Sequence, residues 1–399
     1  MTAPIPYGRQ NITADDLAAV MQTLQSDFLT QGPKVAEFEA AFAQYVGSKY
    51  AVAVSNGTAA LHLCAMALNV QPGQRVITSP ITFAASANCI AYCGGSVVFA
   101  DIDPATLLLD IAAVTKLLKG SPAGTYAGLV VIDFAGRAVQ LEAYRKLAEE
   151  FGLWIIEDAC HAPGGYFMDS EGAAQNCGNG VFADLAIFSF HPVKHIACGE
   201  GGMVTTNDKL LYEKLLTLRT HGITRNTEKF SNGAQWASGN TQTTVEQYPG
   251  WYMEMQDLGY NYRLTDFQSA LGISQLKRAD EGLSRRREIA AKYSNAFDGK
   301  QWLLSQSGIV DGHGYHLYII EVEDRLELYN HLRTKNIFAQ VHYIPVHLMP
   351  FYRAYGYQPG DFPNAELYYS RCLSIPMFPT LTDEEQRFVI ETICNFYHA

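Results

Sequence analysis

Seven short apolar runs between residues 35 and 210 constrain this chain's fold more than any other feature. They are "YAVAV" (50–54), "RVITS" (75–79), "SVVFAD" (96–101), "GLVVID" (128–133), "LWIIED" (153–158), "LAIFSF" (185–190) and "GMVTT" (202–206). Most are continuously apolar rather than alternating, the pattern of a strand covered on both sides. Helical stretches such as "TAALHLCAMAL" and "LEAYRKLAEEFG" lie between them. Repeated βα units of this kind predict an α/β fold: a mostly parallel central sheet with helices on both faces.

A chain of 399 residues exceeds what one hydrophobic core usually serves. We expect a large α/β domain over 1–275, whose N-terminal segment packs on a second unit, and a smaller C-terminal α+β domain over 276–399. The polar, Gly-rich stretch from about 225 to 255 lacks periodicity and reads as a long functional loop. A helical stretch over 266–297 follows it. The net charge of −11 opposes binding to nucleic acid or to anionic membranes. No apolar run approaches the roughly 20 residues of a membrane span, and the N-terminus has no signal-peptide pattern. Eight scattered cysteines without paired metal-type spacing suit reduced thiols in a cytoplasmic protein, with no metal site.

Open α/β sheets bind ligands beyond the C-terminal ends of their strands, so the strand exits come next. In "SFHPVKHIACGEGGM" (189–203), Lys194 stands between an apolar strand and a glycine-rich turn. A buried lysine is costly, and desolvation lowers its pKa, which suits Schiff-base chemistry with pyridoxal phosphate. Ser189 could donate to a phosphate. His191 and His195 flank the lysine without a carboxylate or cysteine at ligand spacing, and Pro192 breaks any helix between them. In "VSNGTAALHL", a helix opens near Thr58 after Gly57, a phosphate-site pattern that is equally an ordinary N-cap. Asp158 ends a buried strand. It could hold a pyridine nitrogen protonated, or cap a turn. His161 reads as a contact to the cofactor ring or as a satisfied semi-buried histidine. Phe83 reads as a stacking face or as core.

The order of these elements is that of a fold-type I pyridoxal-phosphate enzyme. Across nearly its whole length the chain also resembles the DegT/DnrJ/EryC1/StrS sugar aminotransferases. The segments that carry the likeness are "FLTQGPKVAEFE" (28–39), "SNGTAAL" (55–61), "EDACHA" (157–162), "SFHPVKHIACGEGGM" (189–203), "RTHGITR" (219–225) and "LGYNYRLTDFQSALGISQL" (258–276). Pro163, Arg137, Ala197 and Cys198 depart from the residues usual at their positions in that family.

The resemblance implies that Lys194 is the catalytic lysine and that Asp158 pairs the pyridine nitrogen. Phe83 would stack on the ring, with His161 near the ring hydroxyl. Gly57, Thr58, Ala59 and Ser189 would hold the phosphate. Asn261 would reach the phosphate of a neighbouring subunit's cofactor, which makes a homodimer with shared active sites the expected assembly. Tyr7, Thr30, Arg225, Tyr343 and His347 would line the sugar site. The implied reaction moves an amino group from L-glutamate to C4 of a UDP-linked 4-keto-6-deoxy-N-acetylhexosamine. Alternatives are a perosamine or 4-amino-arabinose precursor as substrate, a sugar dehydratase, or a non-catalytic regulator on the same fold. A dehydratase of this type would carry His in place of Lys194.

Overall fold

The computed structural model describes residues 3–239 and 244–398. The seven predicted strands are the seven strands of one sheet. In chain order they are β1 (Tyr50–Val54), β2 (Arg75–Thr78), β3 (Ser96–Phe99), β4 (Tyr126–Ile132), β5 (Trp154–Asp158), β6 (Leu185–Ser189) and β7 (Gly202–Thr206). Their spatial order is β1-β7-β6-β5-β4-β2-β3. All pairings are parallel except those of β7, which runs antiparallel to both β1 and β6.

Alternate residues of each strand enter different cores, which is why the runs are apolar throughout. Val76, Val130, Ile156 and Ile187 pack on one face, with Leu61 and Leu63 of the helix Gly57–Ala67 and Leu215 of the helix Lys209–Arg219. Ile77, Leu129, Val131 and Ile155 pack on the other, with Val114 and Leu118 of the helix Ile111–Lys119 and with Leu147. Further along that second face, Phe188 meets Phe42 of the helix Pro33–Val46, ring centroids 4.8 Å apart. Gly128 sits where a Cβ would lie 2.1 Å from the Trp154 ring on the neighbouring strand, so the indole occupies the space a side chain would need.

The C-terminal region builds a three-stranded antiparallel sheet from Ser305–Gln306, Tyr318–Glu321 and Cys372–Ile375. Its core draws Ile289 and Tyr293 from the helix Ala279–Phe297 and Val389 from the helix Asp383–Phe396. The chain's start joins this region: Ile5–Pro6 pairs in parallel with Ile337–Phe338.

The helical stretch over 266–297 is two helices, Asp266–Leu276 and Ala279–Phe297. The break falls at Arg278, whose guanidinium reaches Asp16 at 2.6 Å. The polar stretch over 225–255, of which residues 240–243 lie outside the described residues, is loop with two short helical turns, Thr227–Lys229 and Ala234–Ala237. Its backbone folds around Glu254, which accepts from the N–H groups of Ser231 and Asn232 at 2.7 and 2.9 Å. Such bonds are long-range side-chain contacts, which leave no periodicity to read.

Candidate active site

A cavity of about 720 Å³ opens at the C-terminal ends of the parallel strands. The strand exits bring Gly57, Thr58, Phe83, Asp158, His161, Ser189 and Lys194 to its wall. Tyr7 and Tyr343 arrive from the N-terminal segment and the C-terminal region.

Lys194 follows β6 by five residues. Burial pushes its amine below the usual lysine range, aided by the nearby Arg286 guanidinium and opposed by Cys160 and Asp158. The lysine Nζ lies 3.5 Å from Nε2 of His316. Burial holds His316 neutral, and so too His161 and His195. The His161 and His316 rings are 4.4 Å apart, so the lysine faces a wall of uncharged imidazoles.

The tautomers of two of these histidines follow from their partners. His161 Nδ1 accepts from the Ala135 N–H at 3.2 Å, so the ring proton sits on Nε2, 3.3 Å from the Tyr343 hydroxyl. His195 has Nε2 at 2.6 Å from the Gly314 carbonyl, so that nitrogen carries the proton and donates.

Asp158 ends β5 and is 6% exposed. The Ser86 hydroxyl donates to its Oδ2 at 2.6 Å, and the Cys160 N–H to its Oδ1 at 3.2 Å. Thr82 in turn lies 2.8 Å from the Ser86 hydroxyl. The carboxylate is thus fixed from one side. Period-two alternation sends Glu157 the other way, where the Gly178 N–H reaches both of its oxygens. Glu157 there joins Asp133 and Cys177 in a fully buried cluster with ligand atoms within 4.8 Å of one another. Burial raises both carboxyl groups, Asp133 to about 6, and their mutual repulsion raises Glu157 further. Such a pair shares protons, the behaviour of two carboxyls forced together.

The helix Gly57–Ala67 points its N-terminus at the cavity. The first N–H groups of a helix have no intrahelical acceptor and favour an anion. Ala59 is the exception here: its N–H donates to the Asn56 side chain at 2.8 Å, an N-cap bond, and Ala59 is absent from the cavity wall. Gly57 and Thr58 remain at the wall. A Cβ at Gly57 would lie 3.0 Å from the Ser189 Cβ, and one at Gly202 would lie 2.6 Å from the Asn56 carbonyl. Gly202 of "GEGG" therefore serves close approach, because β7 passes directly beneath the turn that opens the helix, whereas Gly199 has open space around it and a positive φ of 79°. Phe83 keeps its ring 62% exposed at the wall.

The remaining candidates do not reach this cavity. His347 is fully buried, with Nε2 3.1 Å from Glu366 and its ring against Phe362. Its partner Glu366 sits on a separate helix, Pro363–Arg371, so the histidine is drawn away from the cavity. Arg225 is exposed and lies 4.0 Å from the Met253 sulfur. Thr30 bridges Thr265, and Asn261 bridges Thr220. Both are exposed.

Sequence reasoning missed Ser86 and His316, which lie in stretches whose apolar pattern reads as core. His316 carried one readable signal, a histidine set in the strand-like run "YHLYII".

The donor set suits pyridoxal phosphate. A desolvated amine, a strand-end carboxylate, an exposed aromatic face and free helix N–H groups meet in one cavity. Comparison with known proteins agrees. The family model described as "DegT/DnrJ/EryC1/StrS aminotransferase family" matches residues 10–394. The chain is 38% identical to the spore coat polysaccharide biosynthesis protein SpsC of Bacillus subtilis, over 98% of this chain and 96% of that protein. It is 35% identical to the UDP-4-amino-4,6-dideoxy-N-acetyl-beta-L-altrosamine transaminase of Campylobacter jejuni, with the same coverage of both. Among solved structures it superposes on Helicobacter pylori PseC, an aminotransferase of pseudaminic acid biosynthesis, with a TM-score of 0.86. That match has 28% identity and covers 99% of this chain and 100% of that one. The PLP-form of a putative sugar aminotransferase from Streptococcus pneumoniae matches at a TM-score of 0.84 and 26% identity, over 99% of each chain.

Proposed function

The chain belongs to the DegT/DnrJ/EryC1/StrS aminotransferase family, and from that premise we propose that it aminates C4 of a UDP-linked 4-keto-6-deoxy-N-acetylhexosamine. L-Glutamate is the amino donor in this reading. The product is UDP-4-amino-4,6-dideoxy-N-acetyl-beta-L-altrosamine, an intermediate of pseudaminic acid synthesis. The observation that carries the reaction type is the desolvated Lys194 amine beside the anchored Asp158 carboxylate. The finer substrate assignment is supported by the transaminase relatives and by the likeness to PseC.

Pyridoxal 5'-phosphate, when bound, supplies a carbonyl carbon that exchanges amines and a ring that accepts an electron pair. The chain's residues do the rest. Lys194 would hold the cofactor through Nζ, and the same amine would move the substrate's proton as general base and acid. Burial lowers its pKa from the usual lysine range, which favours the neutral amine. Asp158, oriented by Ser86, holds a proton on the pyridine nitrogen. Gly57, Thr58 and Ser189 take the phosphate, and Phe83 covers the ring. The mouth, with Tyr7 and Tyr343, takes the sugar. Overall, glutamate leaves as 2-oxoglutarate, and its amino group replaces the sugar's keto oxygen.

Asn261 is exposed and outside the chain's own cavity, which suits a role toward the cofactor of a second copy in a homodimer. All eight cysteines are free, in keeping with a cytoplasmic location, and no described helix is long and apolar enough to cross a membrane.

A panel of UDP- and GDP-linked 4-ketosugars, hexoses and pentoses, with L-glutamate as donor and products read by mass and NMR, tests the assignment. The 4-amino-altrosamine product supports it. Turnover confined to GDP- or pentose-linked ketosugars overturns the substrate while leaving the reaction type intact.

A further inference from the structure

Lys194 lines two cavities. The second, of about 210 Å³, is walled by Arg9, Arg278, Arg285, Arg286 and His195 as well. Its charge is unbalanced. Arg278 is answered by Asp16 at 2.6 Å, and Arg285 by Asp383 at 2.7 Å and Glu288 at 3.1 Å. Arg286 is not answered. It is 1% exposed, and its Nη1 donates to three backbone carbonyls, those of Tyr315, His316 and Met377, at 3.1, 3.4 and 3.0 Å. Among the described residues it meets no carboxylate. Arg9 is likewise without an acidic partner and is held over the Phe378 ring. The sole acidic side chain in the wall, Glu281, is exposed.

A buried guanidinium with only carbonyl dipoles around it is costly, because charge taken from water normally requires a counter-charge. The wall is also short of hydrogen-bond partners. Arg278 Nε, Arg286 Nε and His195 Nδ1 are all buried and unpartnered. His195 donates through Nε2, so its Nδ1 is an acceptor and needs a donor.

We propose that this second cavity is a binding site for a small anion, a halide or a small carboxylate, that acts as the counter-ion of Arg286. The volume admits such an ion with a few waters, each occupying about 30 Å³. Water donating one proton to His195 Nδ1 and the other to the anion completes the wall. The site is separate from the phosphate end of the larger cavity, which is built from backbone N–H groups rather than guanidinium.

The test is thermal unfolding of the purified full chain at constant ionic strength, with gluconate replaced stepwise by chloride, bromide or acetate. A binding site gives a saturable rise in Tm, about 2 °C or more at saturation. The halide and acetate arms show which class is preferred. Arg9→Gln and Arg286→Gln should each raise the midpoint concentration several-fold. If Arg286→Gln does not fold, Arg9→Gln, at an exposed position, carries the test alone. Crystals grown in bromide should show an anomalous peak in this cavity. A response that stays linear in salt, or a saturable one unchanged in the variants, overturns the proposal. Neither readout requires transaminase activity, so failure here is distinct from failure of the functional assignment.

Discussion

Lys194 Nζ lies 3.5 Å from Nε2 of His316, a residue 122 positions later in the chain. The contact joins the exit of β6 to the C-terminal region across the site. His316 is neutral, so it accepts from the lysine without adding a positive charge. Replacing it by Phe removes the acceptor and keeps the bulk. We expect kcat to fall about 10²-fold, the lower end of the range for groups that assist proton transfer, with a smaller change in KM for the sugar. Steady-state kinetics on the variant checks this, and an unchanged kcat would show that the contact is idle.

Lys194→Ala should abolish covalent capture of pyridoxal phosphate. Borohydride reduction followed by peptide mass spectrometry locates the modified residue in the wild type. His191 and His195 cannot substitute: the first is exposed at the wall, and the second is committed to the Gly314 carbonyl. Label found on any other lysine would refute the assignment.

Asp158→Asn keeps the shape and still accepts from the Cys160 N–H through its one oxygen, while its amide NH2 faces Ser86 as a donor and the charge is removed. A neutral partner cannot hold the pyridine nitrogen protonated, so kcat should drop by roughly 10²-fold or more while the fold persists. Ser86→Ala should cost less, about 1 kcal/mol, the usual worth of one such hydrogen bond. The ratio of the two effects, measured by kcat and Tm together, separates charge from positioning.

Gly202→Ala should loosen the cofactor cradle. The added Cβ meets the Asn56 carbonyl at 2.6 Å, and that carbonyl belongs to the turn that opens the phosphate helix. Overpacking of this kind costs about 1–3 kcal/mol. The apparent Kd for pyridoxal phosphate should rise, as read by fluorescence titration. An unaltered Kd would mean that the turn is not the cradle.

Stability should peak on the acid side of neutrality, between about pH 4 and 6.5, for two opposed reasons. Burial holds His313 and His342 down at about 3. Their unfolded pKa is about 6.5, so the unfolded chain takes these protons first, and stability is lost as pH falls from about 6.5 toward 3. Burial lifts Asp133 to about 6, and Glu157 is raised further. There the folded state keeps protons that the unfolded chain has released, so stability falls as pH rises from about 4 through 6 and beyond. Tm measured from pH 4 to 9 should show both limbs. Asp133→Asn should flatten the upper one, and a Tm still climbing above pH 8 would contradict this account.

The sequence by itself determined the sheet and the ends of its strands. Continuous apolar runs are legible because burial on both faces writes apolar residues at successive central positions of β2, β4 and β5. Lys194 and Asp158 were legible for a related reason: a charge that interrupts such a run at a strand exit is costly and stands out. Tertiary structure decided which groups attend them. Ser86 reaches the site from the helix Ala85–Tyr92 and His316 from the bend that precedes the strand Tyr318–Glu321, both in sequences that read as core. His347 and Tyr343 sit four residues apart and were indistinguishable in the sequence. One is held by Glu366 behind the cavity, and the other faces His161 within it. The Ala59 N–H belongs to the Asn56 cap rather than to an open phosphate site. Strand pattern is a local property, set by burial along one segment. The hydrogen-bond partner of a side chain depends on segments far away in the chain, and only their packing brings the two together.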